Sequence, residues 1–163
     1  MERQVGVTAA SHATSFQKTA CFTYLRGLAK WDDMTMPKTS IAPMLSVRRG
    51  AQAIDFYKQA FGARELFRLD NEAGEVVAQL AVADAEFWVT DESPENKNFS
   101  PESLGGGTVR MVLVIDDPDA MFARAIQAGA TTVWPVADQE YGWRVGRLVD
   151  PFGHHWEIGK PLN

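Results

Sequence analysis

Residues 41–63 read IAPMLSVRRGAQAIDFYKQAFGA, and the spacing of the apolar side chains changes within this stretch. Residues 41–47 are apolar on both faces of an extended chain, which predicts a strand. Residues 50–61 instead have helical spacing, with apolar side chains at i, i+3 and i+7: Ile54, Tyr57 and Phe61. Gly62 follows at the position where a left-handed C-terminal cap favours glycine. The stretch therefore predicts a strand followed by an amphipathic helix.

Three further strands are predicted after this helix. They cover Arg64–Asp70, Glu75–Ala83 and Glu86–Asp91, and a turn at Asn71-Glu72-Ala73-Gly74 separates the first two. The first half of the chain thus has the order strand, helix, and three strands.

The second half of the chain repeats this order. Val109–Ile115 predicts a strand, and Asp117-Pro118 predicts a helix start with Asp as the N-cap and Pro at the first helical position. Three strands then follow: Thr131–Val136, Trp143–Val149 and His154–Gly159. Gly129-Ala130 ends the second helix as Gly62-Ala63 ends the first, 67 residues earlier.

We therefore predict an α+β protein made of two tandem βαβββ modules that form a half-barrel cavity. Module 1 covers 40–91 and module 2 covers 108–160 of a single domain at 40–160. Residues 92–107 are expected to be a linker without regular structure, the alternative being a lid over a site. Residues 1–39 are expected to be a poorly ordered N-terminal extension, with a transit peptide as the alternative for the first 35.

Composition excludes several classes of protein. The 163 residues carry 16 basic and 21 acidic side chains, for a net charge of −5, which argues against nucleic-acid binding. No apolar run is long enough to span a membrane, and no secretory signal is evident. Cys21 is the only cysteine, so an internal disulfide and a zinc–thiolate cluster are both ruled out. We expect a cytoplasmic protein that uses neither nucleic acid nor membrane.

In each module one sheet face is covered by its helix, and the opposite face, here called the open face, is bare. Two open faces that close towards each other would enclose a ligand cavity. Because side chains alternate along a strand, burial of Leu45 and Val47 under the first helix assigns their neighbours to the open face. The predicted open-face residues are Ala42, Met44, Ser46, Glu86, Trp88, Thr90, Arg110, Val112, Val114, His155 and Glu157.

Each candidate site residue has an alternative structural role. Trp88 is either an aromatic wall for a planar ligand or core filling. Arg110 either binds a substrate carboxylate or phosphate, or pairs with Glu157. His155 is either a proton-transfer group or a structural strand histidine. Trp143 and Arg144 either form the rim of the pocket or lie on a surface edge strand.

The chain resembles the vicinal oxygen chelate superfamily, which includes glyoxalase I, bleomycin-resistance proteins and extradiol dioxygenases, and is most similar to its PhnB-like branch. The resemblance covers residues 40–160. The matching motifs are Pro43-Met44-Leu45-Ser46-Val47, Ala53-Ile54-Asp55-Phe56-Tyr57, Ala60-Phe61-Gly62-Ala63, Asp116-Asp117-Pro118-Asp119-Ala120, Ala128-Gly129-Ala130, Tyr141-Gly142-Trp143-Arg144 and Asp150-Pro151-Phe152-Gly153-His154-His155-Trp156-Glu157.

This resemblance implies a homodimer and, in metal-using members, one His, Gln or Glu ligand on the first and last strands of each module. The corresponding positions here are Ala42, Trp88, Arg110 and Glu157, of which only Glu157 carries a ligand atom of that kind. His154 and His155 are adjacent on a strand and point to opposite faces, so they cannot share an ion in the cavity. We therefore expect no cofactor and no bound divalent metal.

Three functions are consistent with the sequence. The first is metal-free binding of a small organic molecule, with Met44, Trp88, Arg110, Trp143, Arg144, His155 and Glu157 as candidate ligand-binding residues. The second is a glyoxalase-like lyase or isomerase in which Glu157 is the general base, Arg110 stabilises an enolate-like oxygen, and His155 assists. The third is an interaction domain without a ligand.

Overall fold

The structure, a computed structural model, describes residues 39–162. The chain divides into a unit at Met1–Ile41 and a unit at Ala42–Asn163. The predicted extension at 1–39 lies outside the described residues except for its last position. No helix within 39–162 is both long and apolar enough to cross a bilayer.

Each half of the second unit contains four strands and one long helix. The first half consists of β1 Met44–Val47, α1 Gly50–Phe61, β2 Arg64–Asp70, β3 Val76–Val82 and β4 Ala85–Asp91. The second consists of α2 Pro101–Leu104, β5 Arg110–Val114, α3 Pro118–Gln127, β6 Thr131–Gln139, β7 Trp143–Val149 and β8 His155–Pro161.

The strands form two four-stranded sheets with the same topology. Sheet 1 has the order β1-β4-β3-β2 and sheet 2 the order β5-β8-β7-β6. In each sheet the first strand pairs parallel with the last strand of its module, and the other pairs are antiparallel. The prediction of two βαβββ modules is confirmed.

Helix α1 begins and ends at the predicted residues. Its stripe of Ile54, Tyr57 and Phe61 is buried against sheet 1. Gly62 ends the helix with φ of 66°, a conformation that a β-carbon disfavours, and its N–H donates to the Lys58 carbonyl.

Helix α3 also begins as predicted. The Asp117 carboxylate accepts a hydrogen bond from the Ala120 backbone N–H at 3.0 Å, and Pro118 occupies the first helical position. The helix runs to Gln127, and Gly129 follows with φ of 112°. Both long helices thus end at the glycines that the repeat identified.

Strand β1 is shorter than predicted. It begins at Met44 rather than Ile41, directly after Pro43, which has no backbone N–H to donate. Leu45 and Val47 face α1 and are buried, so the alternation assigned to this strand is confirmed. Ala42 lies just outside the strand.

The connection between the modules has more structure than expected. Within residues 92–107 the chain forms a 3-10 helix at Pro94–Asn96 and the short helix α2. The Glu92 carboxylate fixes this segment by accepting hydrogen bonds from the Ser100 backbone N–H at 2.9 Å and the Ser103 hydroxyl at 2.8 Å. The expectation that this connection lacks regular structure is wrong, because these local hydrogen bonds to the Glu92 side chain order it.

The modules meet on the helix side of their sheets. The Tyr57 hydroxyl of α1 donates to the Asp150 carboxylate of module 2 at 2.7 Å, and both groups are buried. The indole of Trp156 packs among aromatic rings from module 1: Tyr57, Phe61 and Phe87. The Arg124 side chain of α3 donates to the Ala60 carbonyl of α1 at 2.7 Å. These contacts place the shared core away from both open faces.

This packing differs from the expectation that the open faces of one chain close on each other. Side chains of the open face of sheet 2 remain accessible, with Val112 61% exposed and Val114 57% exposed. On sheet 1, Met44 is 53% exposed. The apolar helix sides of the two modules pack against each other and bury apolar surface there. The open-face residues Met44, Val112 and Val114 therefore remain available to a ligand or a second chain.

Candidate functional site

The open face of sheet 1 contributes an aromatic surface. Met44 on β1 lies opposite Trp88 on β4, and Gln79 on β3 is the next register partner of Trp88. The rings of Trp88 and Phe67 lie with their centroids 6.1 Å apart. The Gln79 side chain donates to the Glu86 carboxylate at 2.7 Å. Trp88 is half-buried on this face, and its neighbours Gln79 and Thr90 are only 6% and 2% exposed, so a flat or apolar group could approach it from the side of Met44.

The open face of sheet 2 brings together three of the predicted site residues. Arg110 on β5 lies opposite His155 on β8, and Glu157 lies two residues further along β8 on the same face. The Arg110 Nε lies 3.1 Å from the Glu157 Oε1, and the Arg110 side chain is 56% exposed. Arg110 and Glu157 thus form the ion pair that the alternative reading of both residues anticipated.

A fourth residue, Arg147 on β7, completes this group. It lies opposite Glu157 in the register of β7 and β8, and its Nε donates to the Nδ1 of His155 at 3.2 Å. The Arg147 guanidinium also lies over the Trp134 ring, 5.1 Å from the centroid, as a cation–π contact. The sequence reasoning missed Arg147 and Trp134.

The surroundings of His155 favour its neutral form. Partial burial lowers the pKa of His155, and the charge of Arg147 lowers it further. Because Nδ1 accepts from Arg147, the neutral ring carries its hydrogen on Nε2. His155 is therefore set up as a hydrogen-bond donor rather than as a charged group.

Trp143 and Arg144 do not lie with this group. Arg144 points to the helix side, where its guanidinium binds the Asp119 carboxylate of α3 at 2.6 Å and the Asp138 carboxylate at 2.7 Å. These two partners raise its pKa. Trp143 lies at the far end of β7, opposite Pro161. The alternative reading of a surface edge strand is wrong, because β7 lies between β8 and β6.

The residues at the family's metal positions do not fit a divalent ion. Ala42 offers no donor atom, Trp88 offers only an indole N–H, and Arg110 is a cation. Glu157 is the one carboxylate, and Arg110 is already its partner. Within residues 39–162 no group of three or more His, Cys, Asp or Glu side chains is arranged to hold a metal. That the protein holds no metal stays a prediction.

The arrangement on sheet 2 is suited to binding rather than to metal chemistry. It offers the cationic guanidiniums of Arg110 and Arg147, a neutral imidazole donor and the Trp134 ring on one accessible face. Alternation along β7 could have pointed to Arg147, since every second residue of that strand shares a face. No such signal was available for Trp134, because the pairing of β6 with β7 shifts register on both sides of it.

Comparisons with known proteins agree with this architecture. The family model described as the Glyoxalase/Bleomycin resistance protein/Dioxygenase superfamily matches residues 40–158. An uncharacterized protein of Mycobacterium tuberculosis is 42% identical over 127 residues, which cover 76% of this chain and 75% of that protein. An uncharacterized protein of Arabidopsis thaliana is 34% identical over 122 residues, covering 69% of this chain and 72% of that protein.

Solved structures share the fold. The X-ray structure of an Arabidopsis thaliana gene product is 32% identical, with a TM-score of 0.61, and the match covers 76% of this chain and 100% of that one. TioX from Micromonospora is 26% identical, with a TM-score of 0.58, over 77% of this chain and 98% of that one. The fosfomycin resistance protein FosX from Listeria monocytogenes is 13% identical, with a TM-score of 0.60, over 78% and 96% of the two chains.

Proposed function

Because the chain belongs to the Glyoxalase/Bleomycin resistance protein/Dioxygenase superfamily, we propose that it binds a small organic molecule against its open faces without a divalent metal. We also propose that the protein belongs to the PhnB-like branch of this superfamily. The proposed binding residues are Met44, Trp88, Arg110, His155 and Glu157. The observation that carries the proposal is the ion pair between Glu157 and Arg110. The one carboxylate at a family metal position lies 3.1 Å from a guanidinium instead of being presented to an ion.

The open face of sheet 2 supports the binding of an organic molecule, because it offers polar donors beside exposed valines. On sheet 1 the corresponding aromatic residue, Trp88, is half-buried. Binding sites for small molecules typically combine such apolar walls with a few convergent polar groups.

The enzyme alternative uses the same residues differently. A lyase or isomerase would need the Glu157 carboxylate to take a proton from the substrate and Arg110 to stabilise the resulting oxyanion. Their adjacency on one face favours this alternative. In the structure, however, the two side chains contact each other, and substrate would have to separate them. Consumption of the hemithioacetal of methylglyoxal by purified protein would support the enzyme over the binding protein.

The proposal predicts that ligand binding does not depend on metal. A panel of small metabolites is screened by thermal unfolding in EDTA and again with added Mn²⁺, Ni²⁺ or Zn²⁺. A ligand present at 100 times its Kd stabilises the folded state by about 2.7 kcal/mol, which raises Tm by several degrees. We expect equal shifts in both buffers. A shift that occurs only with metal would contradict the proposal, as would about one tightly held ion per chain by elemental analysis after dialysis.

We also propose a homodimer, in which the open faces of two chains face each other and enclose the ligand between them. Val112 and Val114 expose apolar surface on β5, an edge strand, and such surface is usually covered in a stable assembly. Light scattering is expected to give a mass of about 36 kDa, twice the 18.0 kDa of one chain. A concentration-independent mass near that of one chain would refute the dimer without affecting ligand binding to a single face.

A further inference from the structure

We infer that Arg147 binds the anionic group of the ligand, so that the site takes a small organic acid with an apolar body. This inference rests on the proposed function and narrows its substrate class. The site lies on the open face of sheet 2, where Arg147 contacts both His155 and Trp134.

Arg147 forms no ion pair with a carboxylate among residues 39–162. Each of the other seven arginines in the described part of the chain pairs with a carboxylate or donates to a backbone carbonyl oxygen. The polar partner of Arg147 is the uncharged Nδ1 of His155. Glu157, its register partner, pairs with Arg110 instead. In a chain with a net charge of −5, this half-buried guanidinium therefore keeps an uncompensated positive charge.

Two contacts fix the orientation of that charge. The Arg147 Nε–H donates to His155, and the central carbon of the guanidinium lies over the Trp134 ring. Both Nη nitrogens remain without a hydrogen bond among residues 39–162. Two neighbouring Nη–H groups match the two oxygens of a carboxylate, which is the geometry in which arginine binds carboxylates most specifically.

The surroundings specify the rest of the ligand. His155 adds an Nε2–H donor, because its Nδ1 is used by Arg147. The charges of Arg110 and Glu157 offset each other, so the patch keeps a net charge of about +1 for a single anion. Val112 lies opposite Glu157 on β5 and is exposed, and the Trp134 ring is 39% exposed. An oxyanion at Arg147 would thus have apolar surface on both sides for a hydrocarbon or aromatic body.

The test compares carboxylates with their neutral amides. Benzoate and indole-3-acetate are titrated against benzamide and indole-3-acetamide by calorimetry, using wild type, R147Q, R147K and R48Q. R48Q is the matched control, since Arg48 is exposed and its ion pair with Glu92 is long, at 3.5 Å. We expect R147Q to weaken carboxylate binding at least 10-fold, R147K to weaken it less, and R48Q to leave it unchanged. The amides should bind at least 10-fold more weakly than the acids to wild type.

A second measurement shows that R147Q folds with its site otherwise intact. Partial burial lowers the pKa of His155 most; the charges of Arg147, Arg110 and His154 lower it further, and that of Asp150 raises it. Loss of the Arg147 charge should therefore raise this pKa in an NMR titration, with an unchanged Tm.

Three outcomes would overturn the inference. They are carboxylate binding that R147Q leaves unchanged, amides that bind as tightly as acids, and no binding of either at millimolar concentration. None of these decides the proposed function. The metabolite screen in EDTA tests that function with neutral and charged compounds alike.

Discussion

Replacement of Asp150 by alanine is expected to lower the free energy of unfolding by about 3–5 kcal/mol. The Asp150 carboxylate is 3% exposed and accepts four hydrogen bonds. Their donors are the Tyr57 hydroxyl at 2.7 Å, the Trp156 indole N–H at 3.0 Å, and the backbone N–H groups of Phe152 and His154, each at 2.9 Å. Removing the acceptor leaves these buried donors without a partner, and each costs about 1–3 kcal/mol when desolvated and unpaired.

Tyr57 shows how strongly this network is shielded from water. Burial raises the pKa of its hydroxyl, and the neighbouring Asp150 carboxylate raises it further. Tyr57→Phe removes one donor and leaves Asp150 with three, so we expect a smaller loss of about 1–1.5 kcal/mol. Urea denaturation followed by tryptophan fluorescence measures both variants, with the exposed Asp55→Ala on α1 as the control, expected within 0.5 kcal/mol of wild type. A loss below 1 kcal/mol for D150A would show that water replaces the carboxylate.

Replacement of Trp156 by alanine should cost a similar amount for a different reason. Its indole is 2% exposed and packs on three rings of module 1, with centroids 5.6 Å from Tyr57, 4.6 Å from Phe61 and 5.7 Å from Phe87. The substitution opens a cavity between the modules, and buried tryptophan-to-alanine changes cost about 3–5 kcal/mol.

Trp134→Ala is the matched control for this second prediction. Trp134 lies on the open face of sheet 2 and contacts Arg147, not the core. We expect its unfolding free energy to fall by less than 1 kcal/mol. Equal destabilisation by the two tryptophan substitutions would mean that the modules are not held together through Trp156.

Local patterns predicted the elements because each depends on residues close in sequence. The stripe of α1, its cap at Gly62 and the Asp117 cap of α3 all arise within about four residues of the feature they fix. Alternation likewise assigned Leu45 and Val47 to the buried face of β1. The boundaries of α1, β2 and β7 follow from the sequence without knowledge of the rest of the chain.

The packing of the modules could not be predicted in the same way. It depends on pairs such as Tyr57 with Asp150 and Phe61 with Trp156, more than 90 residues apart in the sequence. An apolar face predicts that the face is buried, but not which other surface of the protein it packs against. The candidate site could not be predicted for the same reason. Arg147 belongs to it because of contacts with His155 on β8 and Trp134 on β6, and the position of Trp134 depends on two register shifts.

The parallel pairing of β5 with β8 has a consequence for how the protein is made. In sheet 2, β5 pairs only with β8, which is the last of the described strands to be synthesised. The sheet therefore cannot assemble in the order of synthesis. Such long-range pairing slows folding, because the intervening chain loses conformational entropy before the stabilising contacts can form. His155, Trp156 and Glu157 all lie on β8. On the ribosome, the open face of sheet 2 and the junction of the modules would therefore form together, in a single late step.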